Sequence, residues 1–211
     1  MITQTHATPA SLSGGELDAL REVANIGAGH AATALSTMIG STIMISVPRV
    51  NVMRLQDVPP VVSSAEEPVA AVLLHMLGDL TGRTLLVFPC AAAVRLAELL
   101  MHRDATGGVT LGALEESAVK EVGNILSSAY MNALSDFMGM MLLPSPPMLS
   151  IDSSAAVLAT THMQFGSDRD QVFCVESEFQ LKDVNERLRG FFLLLPDPAS
   201  LSLMLRTVRA M

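Results

Sequence analysis

The stretch "LREVANIGAGH", residues 20–30, places Glu22 and Asn25 three residues apart in a run that is otherwise rich in apolar and small residues. A similar stretch, "VKEVGNILSSA" at residues 119–129, carries a glutamate and an asparagine at the same spacing. Residues three or four apart lie on one face of an α-helix. Each stretch therefore predicts a helix that presents a carboxylate and a carboxamide side by side.

The two stretches belong to a longer spacing that occurs twice in the chain. It reads Asp or Ser, three residues, Glu, two residues, Asn, 22 residues and Pro. The members are Asp18, Glu22, Asn25 and Pro48 in the first copy, and Ser117, Glu121, Asn124 and Pro147 in the second. Corresponding positions, such as Asn25 and Asn124, are 99 residues apart. Two copies at so long a period indicate an internal duplication and not a solenoid.

The order of predicted elements also repeats, as helix, strands, hairpin and helix. The first half predicts a helix from a cap at Ser13 to about Met38 that ends at Gly40, a strand over 41–55, a loop over 56–68, a hairpin around "GDLTG", and a helix over 90–101. The second half predicts a helix over 113–137, strands over 140–152 and 154–165, a second hairpin, and a closing helix with Pro198 in its first turn.

This pattern predicts an α+β fold in which an internally duplicated, pseudo-twofold domain packs two long helices with a β-sheet. The predicted division is a flexible N-terminus over 1–13 and one domain over 14–211, made of repeats at about 14–102 and 112–211. Each long helix has an apolar face opposite its polar pair, so the helices should pack side by side with their polar faces outward. The predicted apolar positions are Leu20, Val23, Gly27, Ala31 and Ala34, and Val119, Val122, Leu126, Ala129 and Ala133.

The charge and the hydropathy pattern of the chain disfavour several kinds of partner and location. The formal net charge is -8, the pI is about 5.0, and only 13 basic residues are present, which disfavours nucleic acid and anionic membrane surfaces as partners. No uninterrupted apolar run is long enough to span a membrane, and the N-terminus lacks the apolar core of a signal peptide, so a cytoplasmic location is expected.

Cys90 and Cys174 are interpreted as buried free thiols. No spacing of His and Cys predicts a metal site on this chain.

The segments "ANIGAGHAATALSTMIGSTIMISVPRV" and "EVGNILSSAYMNALSDFMGMMLLPSPP" resemble the CheC family of chemotaxis phosphatases, relatives of CheX and FliY. The resemblance covers residues 15–210 and includes the duplicated layout. It implies a hydrolase that dephosphorylates the phospho-aspartate of a CheY-like response regulator. Carried over by position, Glu22 with Asn25 and Glu121 with Asn124 form two catalytic pairs. Asp18 and Ser117 open the two motifs, and Pro48 and Pro147 close them.

The resemblance also names the partners. Besides the phosphorylated regulator it makes CheD, a receptor deamidase, a candidate partner. No cofactor is expected on this chain, and Mg²⁺ is expected on the regulator. One departure is His30, where relatives often have asparagine; it lies outside the motif, and little effect is expected.

The residue types suit hydrolysis of an acyl phosphate. Phosphoryl transfer depends on positioning and charge stabilisation more than on strong base catalysis. A carboxamide oxygen can accept a hydrogen bond from the attacking water without adding negative charge beside the phosphoryl group. Glutamate is the anchor instead, since the resemblance pairs it with a lysine of the regulator. The same residues leave an alternative open: an adaptor that docks on the regulator, or a flagellar-switch component, with little catalytic turnover.

The small residues of "GAGHAA" admit two further interpretations. Gly27, Ala28 and Gly29 could resemble a phosphate-binding loop, but the third glycine and a preceding strand are missing. Close packing of two helices is the favoured interpretation.

Overall fold

The computed structural model describes residues 13–63, 67–165, 171–181 and 185–209. The flexible lead predicted for residues 1–13 lies outside the described residues, apart from Ser13. The helices are α1 Gly14–Ile39, α2 Pro59–Val62, α3 Cys90–Leu100, α4 Ala113–Met138, α5 Ser154–Phe165 and α6 Pro198–Arg209. The strands are β1 Ile43–Ile45, β2 Arg49–Arg54, β3 Pro68–Gly78, β4 Gly82–Pro89, β5 Leu142–Pro144, β6 Met148–Ser153, β7 Gln171–Leu181 and β8 Glu186–Pro196.

The predicted α+β class and its internal duplication are confirmed. The long helices α1 and α4, each of 26 residues, begin 99 residues apart, as do β1 with β5 and β2 with β6. The offset then grows: β3 begins at Pro68 and β7 at Gln171, 103 residues later. The second copy gains this length where it carries the 12-residue helix α5 in place of a 3₁₀ turn and the four-residue α2.

The ends of the long helices follow from local sequence. The Ser13 hydroxyl accepts a hydrogen bond from the backbone N–H of Glu16, and the Glu16 carboxylate accepts one from the backbone N–H of Ser13, so the cap predicted at Ser13 is present and forms a capping box. At the other end Gly40 has φ of 69°, and Gly139 of α4 has φ of 63°. Both lie in the left-handed region that glycine tolerates best, which is why each helix ends there.

Three predictions of secondary structure are wrong in detail. The predicted strand over 154–165 is helix α5, because Ser153 accepts a hydrogen bond from the backbone N–H of Ala156 and the alanine-rich segment then buries Val157 and Leu158 on one side. The single strand predicted over 41–55 is two strands, β1 and β2, followed by a 3₁₀ turn. The predicted loop over 56–68 contains α2, which starts on a proline.

The sheet exchanges strands between the two repeats. Its order is β1-β7-β8-β4-β3-β5, with β2 also paired to β7 and β6 also paired to β3, and these pairs are antiparallel. The first two strands of each repeat therefore pair with the hairpin of the other repeat. The central contact joins β4 to β8, with Leu85 opposite Leu193. Neither repeat completes its share of the sheet without the other.

The two faces of the sheet carry different layers. The long helices α1 and α4 pack on one face and contribute to the larger apolar core. On the other face the 3₁₀ turn, α2 and α5 cover a second core with Leu55, Val58, Val62, Val157 and Leu158. Because the helices bearing the repeated Glu and Asn form the outside of the first face, one side of each remains open to solvent.

Candidate functional site

The two long helices cross where Gly27 of α1 meets Tyr130 of α4. A Cβ atom built on Gly27 would lie 2.6 Å from Tyr130 Cδ1 and 3.0 Å from its Cα. Leu20 in the first half of α1 and Leu134 in the second half of α4 line one small apolar cavity, so the helices run antiparallel. Close helix packing is therefore the role of Gly27, as favoured from the sequence.

Tyr130 is held firmly at this crossing. Its ring stacks on Phe192 with centroids 4.5 Å apart, and its hydroxyl lies 3.0 Å from the Ser177 hydroxyl. Burial raises the pKa of Tyr130 to about 12, so the side chain stays neutral at ordinary pH. Tyr130 thus links α4 to β7 and β8 of the same repeat, and α1 rests on it.

The predicted apolar faces are buried with one exception. Nine of the ten positions lie in the core, whereas Ala34 is exposed. The buried stripe of α1 passes from Ala31 to Leu35, four residues on, and the larger leucine occupies the place expected for Ala34. The prediction for Ala34 is wrong because residues three and four positions after Ala31 both fit the helical spacing. The larger apolar side chain, Leu35, is the one that is buried.

The four residues of the Glu and Asn pairs lie on the outward faces of the long helices. Glu22, Asn25 and Glu121 are exposed, and Asn124 is half-buried. No hydrogen bond or ion pair connects any of their side chains to another residue within the described ranges. All four polar groups are therefore available to a molecule that docks on α1 or α4.

The structure does not bring the two pairs into one cleft. Tyr130 lies opposite Gly27, so Asn25 is two residues to one side of the crossing and Asn124 is six residues to the other. At about 1.5 Å per residue the two asparagines stand roughly 12 Å apart along the helix axes. The arrangement is two separate surfaces, one on each helix.

The residues that open the motifs differ between the surfaces. Asp18 forms an exposed ion pair with Arg21, with 2.9 Å between Oδ1 and Nη1. Ser117 stands at the place of Asp18 on α4, and Lys120 stands at the place of Arg21. An exposed pair of this kind contributes at most about 1 kcal/mol to stability. The difference therefore changes the charge offered to a partner more than the fold.

The two prolines that close the motifs occupy equivalent kinks. Pro48 is buried between β1 and β2, and Pro147 is half-buried between β5 and β6. Beside each kink a serine keeps the sheet paired: Ser46 exchanges hydrogen bonds with the backbone of Glu178, and Ser145 does so with His75. The prolines thus lie between strands of the sheet, whereas the Glu and Asn side chains lie on the long helices.

Two arginines that the sequence interpretation missed contact the first turns of the long helices. Arg209 at the end of α6 places Nε 2.6 Å from Oε1 of Glu16, and Arg103 after α3 places Nη1 2.9 Å from Oε1 of Glu115. Glu16 and Glu115 are themselves 99 residues apart. The repeated glutamate was a signal in the sequence. Its arginine partners could not be found in the same way, because Arg209 lies far after Glu16 whereas Arg103 lies shortly before Glu115.

Other classes of site are not seen in the described part of the chain. No group of three or more His, Cys, Asp or Glu side chains is placed to hold a metal ion among residues 13–63, 67–165, 171–181 and 185–209. No helix within those ranges has the length and apolar character needed to cross a membrane. Cys90 and Cys174 are buried free thiols, and burial raises the pKa of both.

Comparison with known proteins identifies the family to which the two repeated motifs belong. The model of the CheC-like family matches residues 16–52 and 114–151, and these two segments contain both motifs from Asp18 to Pro48 and from Ser117 to Pro147. The CheY-P phosphatase CheC of Bacillus subtilis is 31% identical over 184 residues, which are 86% of this chain and 88% of that protein. The chain belongs to the CheC-like family.

Two proteins named FliY extend the comparison. The flagellar motor switch phosphatase FliY of Bacillus subtilis is 30% identical over 177 residues, which are 81% of this chain and 43% of that protein. The crystal structure of Thermotoga maritima FliY superposes with a TM-score of 0.76 at 24% identity, covering 94% of this chain and 98% of that one. The fold shared with this structure therefore includes both repeats.

Proposed function

We propose that this protein is a phosphatase that hydrolyses the phospho-aspartate of a CheY-like response regulator in chemotaxis. The proposal is supported by relatives whose names are CheY-P phosphatase and motor switch phosphatase. The observation that carries it is the Glu and Asn pair, which occurs on the open face of both long helices with no described side chain engaging it. Two docking surfaces would let one molecule serve two regulators.

In this mechanism the asparagine positions water. The regulator supplies the acyl phosphate, Mg²⁺ and a lysine that balances the phosphoryl charge, as the family resemblance implies. The carboxamide oxygen of Asn25 or Asn124 accepts a hydrogen bond from a water molecule and holds it in line with the scissile phosphorus–oxygen bond. Because the amide is neutral, it does not repel the phosphoryl oxygens, as a carboxylate at the same place would.

The glutamate three residues earlier anchors the regulator. Glu22 lies one helical turn from Asn25, as Glu121 does from Asn124, so both groups of a pair reach the same partner surface. An ion pair between the glutamate and the regulator's lysine would fix the distance from the phosphoryl group to the asparagine. The helix suits this role because its inner face is packed into the larger apolar core.

A second candidate function is an adaptor that binds the regulator with little turnover. It stays open because no group of His, Cys, Asp or Glu side chains that could hold a metal ion is placed beside the pairs within the described residues, so any acceleration would depend on the asparagines. Docking through Glu22 and Glu121 would be the same in both functions. The two differ only in whether the bound regulator loses its phosphoryl group faster. CheD binding stays a prediction from the family resemblance.

Magnesium dependence is a specific expectation of the phosphatase mechanism. Decay of a purified, phosphorylated CheY-like regulator is followed with and without this protein. We expect the acceleration to disappear when EDTA removes Mg²⁺ and to return when Mg²⁺ is added in excess, because the metal belongs to the regulator's site. A transition metal bound one-to-one to the isolated protein and essential for the acceleration would contradict this mechanism.

A further inference from the structure

The first turn of each long helix is held by the last part of the other repeat. Glu16 is the third residue of α1 and Glu115 is the third residue of α4. Arg209, which ends α6 of the second repeat, pairs with Glu16 of the first. Arg103, which follows α3 of the first repeat, pairs with Glu115 of the second. The two ion pairs therefore cross between the repeats in the same way as the exchanged strands.

Each of these two ion pairs, called clamps below, is made by an arginine at the end of a helix or just after it, and that helix is also bonded to a hairpin of the sheet. Ser200, near the start of α6, accepts a hydrogen bond of 2.8 Å from the backbone N–H of Thr81 in the turn between β3 and β4. On α3, Arg95 makes two hydrogen bonds, of 2.7 and 3.0 Å, to Glu186 at the start of β8. Helices α6 and α3 thus each connect a hairpin of the sheet to the first turn of a long helix.

The clamped glutamates face away from the Glu and Asn pairs. Asn25 lies nine positions after Glu16, and Asn124 lies nine positions after Glu115. At about 3.6 residues per turn this is two and a half turns. The glutamate and the asparagine therefore lie on opposite faces of the helix, and the arginine binds the face opposite to the asparagine. Glu16 is only 5% exposed and also caps α1, and its interactions with Ser13 and Arg209 lower its pKa. The ion pair with Arg209 therefore holds the first turn of α1 from the side opposite to Asn25.

We propose that Arg209 and Arg103 are positioning residues, each of which sets how tightly one of the two surfaces binds the phosphorylated regulator. Arg209 controls the surface of Glu22 and Asn25 through Glu16. Arg103 controls the surface of Glu121 and Asn124 through Glu115. Neither arginine touches the reacting atoms. This inference rests on the proposed function for its kinetic test, but not for its structural one.

The kinetic test measures one surface at a time. In the Asn124→Ala background, which leaves the first surface active, Arg209→Met is expected to raise the KM for the phosphorylated regulator about 3- to 10-fold with little change in kcat. In the Asn25→Ala background the same change should have no effect, and Arg103→Met should raise KM instead. Arg206→Met is the matched control, since Arg206 lies one turn earlier on α6 and forms no ion pair with a described residue. Arg209→Lys should restore most of the affinity.

The structural test uses hydrogen exchange of the full-length protein alone. Arg209→Met, or Glu16→Gln if the first variant folds poorly, should speed backbone exchange in residues 14–22 and leave residues 113–121 unchanged. Arg103→Met should do the reverse. Equal effects of one arginine on both helices, or unchanged exchange and unchanged KM in both variants, would overturn the inference. If the wild-type protein does not accelerate decay, the proposed function fails, while the exchange result still decides the role of the clamps.

Discussion

Replacing both Asn25 and Asn124 with alanine is expected to remove most of the acceleration of phosphoregulator decay. Loss of a single group that positions the attacking water costs on the order of 10²-fold at its own surface. Because the two surfaces lie on different helices, one substitution should leave the other surface intact. With two equal surfaces each single variant therefore keeps about half of the total rate, and only the double variant loses nearly all of it.

The controls separate chemistry from folding and docking. Asn132→Ala changes an exposed asparagine on the same helix α4 outside the motif, and it should keep full activity. The melting temperatures of all variants should agree closely, because Asn25 and Asn132 are exposed and the half-buried Asn124 makes no hydrogen bond to a described residue; surface substitutions usually change stability by no more than about 0.5 kcal/mol. Binding of the regulator should survive because Glu22 and Glu121 remain. A normally folded double variant with full activity would exclude water positioning by these asparagines.

Enlarging Gly27 is expected to cause a large loss of stability. In Gly27→Leu the new side chain meets Tyr130, whose stacked ring and hydroxyl contact leave it little room to move. Overpacking of this kind costs about 3 kcal/mol, because α1 must move away from α4. For a chain of this size that corresponds to a fall in melting temperature of about 6–12 °C, measured by calorimetry.

Gly29→Ala is the matched control in the same "GAG" segment. Gly29 is exposed, and a Cβ atom built on it meets nothing within 4 Å. Alanine favours the helix by about 0.5–1 kcal/mol over glycine, so the melting temperature should rise by about 1–4 °C. A similar response of both glycines would contradict the assignment of Gly27 to the helix crossing.

The duplication and the ends of the long helices could be predicted from the sequence because they depend on local chemistry. Ser13 and Glu16 form a capping box at a fixed spacing, and a glycine just past the periodic run supplies the left-handed residue that ends a helix. The outward position of Asn25 followed from helical periodicity alone. These features need no knowledge of which distant segments meet.

The remaining features depend on contacts between distant segments. Strands β1 and β2 pair with β7, which lies more than 100 residues later in the chain, so the exchange depends on how the two repeats assemble. Segment 154–165 combines β-branched residues with alanines, and its helical state depends on packing on the second core in addition to the local cap at Ser153. Arg103 and Arg209 lie outside the repeated spacing, so their pairing with equivalent glutamates appears only in the folded chain.

The measurement that separates a phosphatase from an adaptor most directly is turnover at limiting protein. A CheY-like regulator from the same genome is phosphorylated, freed of phosphodonor, and mixed with a small fraction of an equivalent of this protein. The phosphatase mechanism predicts that each molecule clears many equivalents of phosphorylated regulator, at a rate proportional to the protein added. Decay that proceeds at the regulator's own rate, or slows in proportion to the regulator bound, would contradict it.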